Sequence, residues 1–372
     1  MLMTAFGIGT LVAATSQANA GPYAQTNLVS DIPGLAQLTD PALKNPWGTS
    51  ETATSPFWVS DQGNGQSTLY TVQGTNVISK AALTVTTASP TGQVANTTTG
   101  FVVNGTTSPA SFIFANLNGT ITAWNGTLGH AAGTPAAVEA TVAGASYTGL
   151  AIDNSTQQIY AANDKAGTID VFNSSFAQVA LPVGAFVDPN LPAGLVPFNV
   201  QEINGQLYVT YAPTGHTEQT TAAAGSGVVA VFTTSGAFVN QLVTGGALAS
   251  PWGVALAPAG FGVFSGDLLV GNFSFDDSEI NAFNPTTGAL LGTIPIDVGP
   301  GDTSGGLWDL TFGNGSSGGS PNVLYFTDGI NGETDGLFGA ISAVPEPSSL
   351  LLLAPALAFI AVRRRRPRQM CG

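Results

Sequence analysis

The sequence predicts an all-β fold, a six-bladed β-propeller with four-stranded blades, on three observations. A pattern of roughly 50 residues recurs six times in the chain. Each unit has a short first strand, a second strand that mostly ends in Asp or Asn, a glycine-containing turn and a third strand. Glycine supplies 47 of the 372 residues, which suits short strands joined by tight turns because glycine accepts positive φ. A repeat of this length with about four strands is typical of a propeller blade.

The elements follow one another in the same order in every unit. The predicted first strands are WGTSE (47–51), GFVVN (100–104), GLAID (149–153), FNVQEI (198–203), WGVALAP (252–258) and LWDLTFG (307–313). Aligning Gly48, Gly100, Gly149, Phe198, Gly253 and Trp308 gives steps of 52, 49, 49, 55 and 55 residues. A β-helix would need much shorter coils, and two stacked sandwich domains would need a linker that the sequence does not show.

A fourth strand fits after the third in five units, at residues 80–85, 136–142, 177–183, 237–243 and 289–296. The sixth unit has no such segment. We expect the strand-like stretch Thr26–Asp31 to supply it and so close the ring, which leaves few free sheet edges. Residues 213–227 are predicted to form a long hairpin loop in the fourth blade.

The two ends of the chain read as processing segments outside a propeller of residues 21–343. Residues 1–20 contain an apolar stretch followed by Ala18-Asn19-Ala20, the small-x-small pattern of a signal-peptide cleavage site. The basic residues that usually begin a signal peptide are missing, and a buried first helix is the alternative. Residues 344–368 combine a Pro-Glu-Pro turn, the 13-residue apolar run Leu350–Val362 and an arginine cluster. As a helix that run would span roughly 20 Å, which is short for a membrane core of about 30 Å.

This tail resembles the PEP-CTERM sorting signal of Gram-negative bacteria. The resemblance is carried by Pro345, Glu346 and Pro347, the apolar run, and then Arg363, Arg364, Arg365 and Arg366. It implies export across the inner membrane, transient membrane contact, processing by an exosortase-type enzyme, and a cell-surface or extracellular location. A permanent membrane anchor is the alternative. The units themselves resemble NHL-type repeats, and NPWGTS with SPWGVALAP resembles an uncharacterised family of exported bacterial six-bladed propellers, which implies a fold without an activity.

Charge and cysteine content exclude several kinds of function. Between residues 21 and 345 three lysines face 21 acidic residues, a net charge of −18, so the body would repel nucleic acid and anionic lipid. Cys371 is the one cysteine, which excludes an internal disulfide and a cysteine-ligated metal site.

No catalytic residues are predicted. A Ser-His-Asp triad needs a histidine, and both His130 and His216 lie in Gly/Thr/Ala-rich segments that read as solvated loops. Two oxygen-rich clusters could bind a hard cation such as Ca²⁺, the one possible cofactor. These clusters are Asp276, Asp277 and Glu279, and Asp328, Asn331, Glu333 and Asp335. A capped turn on an acidic surface is the alternative.

A second possible metal site lies in the central channel. In lactonase-type six-bladed propellers, carboxylates and amides of the innermost strands converge on calcium. By that resemblance the candidates are Asn45, Asn199, Glu202 and Asp309, whose side chains could equally solvate a wet channel.

The sequence favours a secreted, sorted propeller that acts as a binding or structural module rather than an enzyme. Extracellular polysaccharide or surface proteins are the expected partners. The alternative is a calcium-dependent hydrolase or lactonase with its site in the channel.

Overall fold

A computed structural model describes residues 22–73, 77–303 and 305–344. The strands form six sheets arranged as a ring, which confirms the predicted all-β propeller. The first strand of each sheet packs between the first strands of the preceding and following sheets, so these six strands line the central channel. The predicted signal segment (1–20) and most of the tail lie outside the described residues.

The elements run in chain order around the ring. Before the first blade come β1 (Tyr23–Ser30) and β2 (Leu38–Thr39). Blade one contains β3 (Pro46–Ser50), β4 (Phe57–Asp61), β5 (Gln66–Gln73), β6 (Val77–Lys80) and β7 (Val85–Thr86), with a 3₁₀ turn at Gln62–Asn64. Blade two contains β8 (Pro90–Ala95), β9 (Phe112–Asn116), β10 (Thr120–Trp124) and β12 (Ala137–Thr141), while β11 (Thr134–Pro135) joins the outer edge of blade one. Blade three contains β13 (Tyr147–Asp153), β14 (Gln158–Asn163) and β15 (Thr168–Asn173).

Blades four to six follow the same order. Blade four contains β16 (Leu195–Ile203), β17 (Gln206–Pro213), β18 (Val228–Thr233) and β19 (Phe238–Thr244), with the helix α1 (His216–Thr220) in its loop. Blade five contains β20 (Pro251–Leu256), β21 (Leu268–Asn272), β22 (Glu279–Phe283) and β23 (Leu290–Pro295), with a 3₁₀ turn at Gly262–Phe264. Blade six contains β24 (Leu307–Phe312), β25 (Val323–Asp328), the short helix α2 (Ile330–Glu333) and β26 (Leu337–Ala343).

The N-terminal strand closes the ring as predicted. β1 pairs antiparallel with β26 from Tyr23 opposite Ala343 to Ser30 opposite Leu337, so it takes the outer position of blade six. Lys44 then forms ion pairs with Asp31, just after β1, and with Asp335, just before β26. The junction therefore combines a strand ladder with a charged contact between the two ends of the ring.

Every blade is buried on both faces because successive side chains of a strand point to opposite neighbours. In β9, Phe112 and Phe114 pack against Trp58 of blade one, whereas Ile113 and Ala115 pack against blade three. The same division recurs around the ring and gives one apolar cluster between each pair of adjacent blades. This arrangement explains why the strands read as continuous apolar runs rather than as alternating ones.

The predicted first strand of blade two, residues 100–104, is wrong. The inner strand is β8, residues 90–95, and residues 100–104 form a loop with one isolated bridge, between Val102 and Pro109. Phe101 and Val103 are fully buried against blade three, and Phe101 packs on Phe176 with ring centroids 5.2 Å apart. The loop is apolar because it plugs the core, and that apolar pattern resembled a strand.

The outer strands show smaller differences from the sequence prediction. In blade one the outer position is shared by β6 and β7, which pair with different ends of β5. In blade three the predicted outer strand, 177–183, is reduced to a single bridge between Phe172 and Gln178.

Candidate functional site

The middle of the channel is filled by three tryptophans at the second positions of their inner strands. Trp47 stacks on Trp308 with ring centroids 3.5 Å apart, and Trp252 meets Trp47 edge-on at 6.2 Å. The indole of Trp252 donates to Thr148 O, and that of Trp308 donates to Asn45 Oδ1. This tryptophan plug lies between two cavities, one lined by the beginnings of the inner strands and the other by their ends.

Polar side chains bridge the free edges of neighbouring inner strands beside the plug. Asn199, a predicted channel ligand, donates through its amide to Trp252 O at 3.0 Å. Asp309, a second predicted ligand, accepts hydrogen bonds from the backbone N–H and hydroxyl of Thr49, both at 2.6 Å. Gln93 donates in the same way to Gly48 O. Inner strands have no sheet partner on the channel side, so these bonds satisfy backbone groups that would otherwise be unpaired.

The cavity at the ends of the inner strands, here called the acidic cavity, has a volume of about 250 Å³ and is lined by Glu51, Glu202 and Asp309. Burial raises the pKa of Glu51 to about 8, and the nearby Asp309 adds to the shift. Burial also raises the pKa of Asp309, although its hydrogen bonds from Thr49 oppose the change. The structure therefore brings together two of the predicted channel ligands, Glu202 and Asp309, and adds Glu51, which sequence reasoning missed.

The cavity at the beginnings of the inner strands, here called the entrance cavity, is larger, with a volume of about 450 Å³. Its apolar surface comes from Trp47, Phe198 and Leu117. The polar lining residues are Asn45, Gln62, Ser146, Thr148, Asp164, His216, Gln219 and Glu333. A concave site with an apolar floor and a few converging polar groups is the usual form of a ligand site.

One side of the entrance cavity is formed by the long loop of blade four (residues 213–227), here called the insertion, which carries α1. His216 Nε2 lies 2.9 Å from Glu333 Oε2, so the insertion is joined to the α2 turn of blade six. The hydrogen bond to Glu333 raises the pKa of His216 in spite of its partial burial. Asn45 donates to Glu333 Oε1 at 3.0 Å, which fixes the same carboxylate from the other side. His216 was expected to be a solvated loop residue; its side chain is 62% exposed in the blade-four loop, and it also lines the cavity.

Glu333 has an unusual backbone conformation. Its φ is +65°, in the left-handed region that residues other than glycine, asparagine and aspartate rarely adopt. Its N–H donates to Gly329 O, and its carboxylate contacts His216 and Asn45. Such a conformation persists where the surroundings fix it, so the position of this carboxylate at the cavity is well defined.

One buried donor of the entrance cavity has no hydrogen-bond partner. The indole N–H of Trp47, a residue that is 4% exposed, meets no acceptor among the described residues. Gln219 is 2% exposed, and its side chain has Asp164 of the same cavity lining as its hydrogen-bond neighbour. A buried donor without a partner costs about 1–3 kcal/mol. The N–H of Trp47 is enclosed by the fold, so a molecule in the cavity could not reach it without rearrangement of the lining.

The predicted loop clusters do not gather around a common point. Asp277 accepts from the backbone N–H of Ala224 in the insertion, whereas Asp276 is exposed, and burial raises the pKa of Glu279. In the second cluster Asp328 is buried without a partner, and Asn331 bridges Asp302 and Asp335. No group of three or more His, Cys, Asp or Glu side chains is arranged to hold a metal within the described part of the chain. His130 lies on an exposed loop and packs edge-on against Trp124.

The sorting tail is recognised by comparison with known sequences. Residues 343–366 match the PEP-CTERM protein-sorting motif. The C-terminus of this chain therefore carries a sorting signal of the kind that an exosortase processes. The motif implies export across the inner membrane, processing by an exosortase, and a surface or extracellular location. Pro345, Glu346, Pro347 and the arginines Arg363–Arg366 fall within the matched span but outside the described residues. Across residues 22–73, 77–303 and 305–344, no helix has the length and apolarity needed to cross a bilayer.

Similar proteins give the fold but no activity. Two uncharacterised proteins of Acanthamoeba polyphaga mimivirus are 29% and 28% identical to this chain over 330 and 334 residues. Both alignments cover 84% of the chain, and they cover 78% and 84% of the relatives. A solved structure of Kuenenia stuttgartiensis hydrazine synthase superposes with a TM-score of 0.50 at 12% identity, covering 80% of this chain and 79% of that one. At this identity the likeness concerns the fold alone, and the predicted NHL-type relationship stays a prediction.

Proposed function

We propose that the exported propeller is a binding module for extracellular material and that the entrance cavity is its binding site. The observation that carries the proposal is the entrance cavity itself, whose lining combines the apolar side chains of Trp47, Phe198 and Leu117 with a set of converging polar groups. The sorting motif supports a role outside the cell, where polysaccharide and surface proteins are the available partners.

The site is built on rigid elements, which favours binding. Its floor belongs to the tryptophan plug, and its rim is fixed by the bonds that Glu333 makes to His216 and Asn45. A preformed cavity loses little conformational entropy when a ligand binds, so more of the contact energy remains as affinity.

A cavity-filling substitution tests the proposal. Leu117 is partly buried on the cavity floor, and Leu117→Arg would place a long charged side chain in the cavity. The matched control is Leu290→Arg, at an exposed position of the outer strand β23. Purified protein would be titrated with fractionated extracellular polysaccharide and with surface-protein extract. We expect Leu117→Arg, but not Leu290→Arg, to abolish binding while both variants keep the melting temperature of the parent. Equal binding by both variants would overturn the proposal.

A calcium-dependent hydrolase or lactonase is the second candidate, and the acidic cavity favours it. Glu51, Glu202 and Asp309 line one small cavity, and carboxylate oxygens are the ligands that Ca²⁺ prefers. The described carboxylates are not arranged as a ready-made metal site, and Asp309 is bonded to Thr49, so calcium binding would require these side chains to move together. Calorimetric titration of metal-free protein with CaCl₂, beside the Glu51→Gln variant, tests this candidate. Calcium binding that Glu51→Gln weakens, together with hydrolysis of lactones or esters, would support the enzyme. Absence of both would eliminate it.

A further inference from the structure

We propose that the propeller, while its tail holds it at the membrane, turns one end of the ring toward an anionic lipid bilayer and the entrance cavity away from it. The end that faces the bilayer, here called the exit end, is the end at which the inner strands finish and the acidic cavity lies. The opposite end, which holds the entrance cavity, is here called the entrance end. The inference follows from the place where the tail leaves the ring, the length of the spacer behind it, and the distribution of charge.

The sorting tail leaves the ring at the exit end. β24 and β26 are both antiparallel to β25, which lies between them, so β26 finishes at the end where the inner strands finish. The match to the sorting motif begins at Ala343, the last residue of β26. The N–H of Val344 then donates to the carbonyl oxygen of Pro22 at 2.9 Å. This bond fixes the point from which the tail departs.

The spacer between the ring and the apolar run is too short to let the ring turn over. Five residues, 345–349, separate Val344 from the apolar run that starts at Leu350. Fully extended, they span roughly 17 Å at about 3.3–3.6 Å per residue. β26 has seven residues and is therefore about 23 Å long at roughly 3.3 Å per residue. The spacer cannot reach back along this strand to the entrance end, so the apolar run can enter a bilayer only near the exit end.

Negative charge is concentrated at the entrance end. The loops that join the second strand of a blade to its third strand lie there, and in the described residues they contain six acids and one lysine. These residues are Asp164, Glu218, Asp276, Asp277, Glu333 and Asp335, with Lys165. The loops that join first strands to second strands lie at the exit end and contain two described acids, Glu51 and Asp267, and no described lysine or arginine.

The surface of an anionic bilayer favours the same orientation as the spacer. Its negative potential falls off within a Debye length, about 8–10 Å, so only the nearest loops experience it strongly. Contact through the exit end brings two loop acids to that surface, whereas contact through the entrance end would bring six. Burial raises the pKa of Glu51 to about 8, so this carboxyl is largely uncharged at neutral pH and adds little repulsion. Chain geometry and charge therefore select the same end of the ring.

The test places a fluorescent probe at either end of the full-length protein and measures its proximity to lipid. Cys371 is first replaced by serine, so that one introduced cysteine can be labelled in each variant. Ser316→Cys places the label on an exposed exit-end loop of blade six. Thr217→Cys, the matched variant, places it on an exposed position of α1 at the entrance end. Both proteins are bound through the intact tail to phosphatidylcholine vesicles with and without phosphatidylglycerol, and quenching by a lipid with a spin-labelled headgroup is recorded.

We expect the probe at position 316 to lose most of its fluorescence and the probe at position 217 to keep it, in both kinds of vesicle. Phosphatidylglycerol should widen the difference because it adds repulsion at the entrance end. Equal quenching of the two probes, or stronger quenching at position 217, would overturn the proposal. So would a full-length protein that does not float with the vesicles, because the tail would then not hold the ring at a bilayer. The Leu117→Arg experiment tests the binding site independently of this orientation.

Discussion

The buried carboxyl of Asp328 should make the stability of the propeller fall as pH rises. Asp328 is fully buried at the end of β25, and neither of its oxygens has a hydrogen-bond partner. Burial raises its pKa from 3.8 to about 8. The folded state therefore holds a proton that the unfolded chain releases above pH 4, so this group destabilises the fold progressively between pH 4 and about 8.

The magnitude follows from the shift of the pKa. One pKa unit corresponds to 1.36 kcal/mol, so between pH 5 and pH 9 the residue should cost about 4 kcal/mol of unfolding free energy. Asp328→Asn removes that dependence. Any cost of burying the new amide is the same at both pH values and cancels in the comparison. The substitution also copies Asn272, which ends the matching strand of blade five and donates to Ala247 O.

The assay is denaturant unfolding of the parent, Asp328→Asn and a control at pH 5 and pH 9. The control is Asp276→Asn, at an exposed position. The stability gained by Asp328→Asn should be larger at pH 9 than at pH 5 by about 4 kcal/mol, whereas Asp276→Asn should show no such difference. An equal effect of Asp328→Asn at both pH values would refute the reasoning, because it would mean that the buried carboxyl does not retain its proton.

Three further predictions concern the ring closure, the insertion and the tail. Lys44→Met leaves the partly buried carboxylates of Asp31 and Asp335 without their cation, so it should lower the unfolding free energy by roughly 1–3 kcal/mol. Lys165→Met, at an exposed position, is the control and should leave the unfolding free energy unchanged in the same denaturant assay. His216→Phe removes the ion pair between His216 and Glu333, so at pH 6 it should speed amide hydrogen exchange in α1. This pair is lost as the pH rises through the raised pKa of His216, so the substitution should have no such effect at pH 9. Equal effects at pH 6 and pH 9 would contradict this reasoning. Mass spectrometry of exported protein should find a C-terminus without the Arg363–Arg366 block, and an intact block would mean that the tail is retained.

The repeat and its closure could be predicted from sequence because they depend on local patterns. The strand at the N-terminus had no partner in its own neighbourhood, and the sixth unit lacked an outer strand, so ring closure joined the two. The prediction of the inner strand of blade two was wrong for a physical reason. Its true inner strand, residues 90–95, begins with a proline and carries Thr91 and Gln93, and so it looks polar. Those polar side chains bond to the backbone of the neighbouring blades, at Tyr147 and Gly48, a role that one segment alone does not reveal.

The entrance cavity could not be predicted because its parts come from distant turns. Asn45 precedes the first inner strand, His216 lies in the insertion of blade four, and Glu333 follows the second strand of blade six. Asn45 and Glu333 were singled out only as possible metal ligands at two different places and His216 only as a loop residue, and no local pattern shows that the three line one cavity. The signal that could have located the site was the insertion itself, since blade four has a long loop between its second and third strands, at the cavity end of the ring.

Polar residues near the channel have two different roles, and their hydrogen bonds separate them. Asn199 and Asp309 interrupt apolar segments of the sequence, but both form hydrogen bonds to neighbouring inner strands. A side chain that is already satisfied by the fold has little left to offer a ligand. His216 and Glu333 are the opposite case, since they bond to each other rather than to an inner strand and line a cavity of about 450 Å³. In a ring whose inner edges need hydrogen bonds, polar groups that face a cavity from outside the inner strands are the better guide to a binding site, and they lie at the entrance cavity.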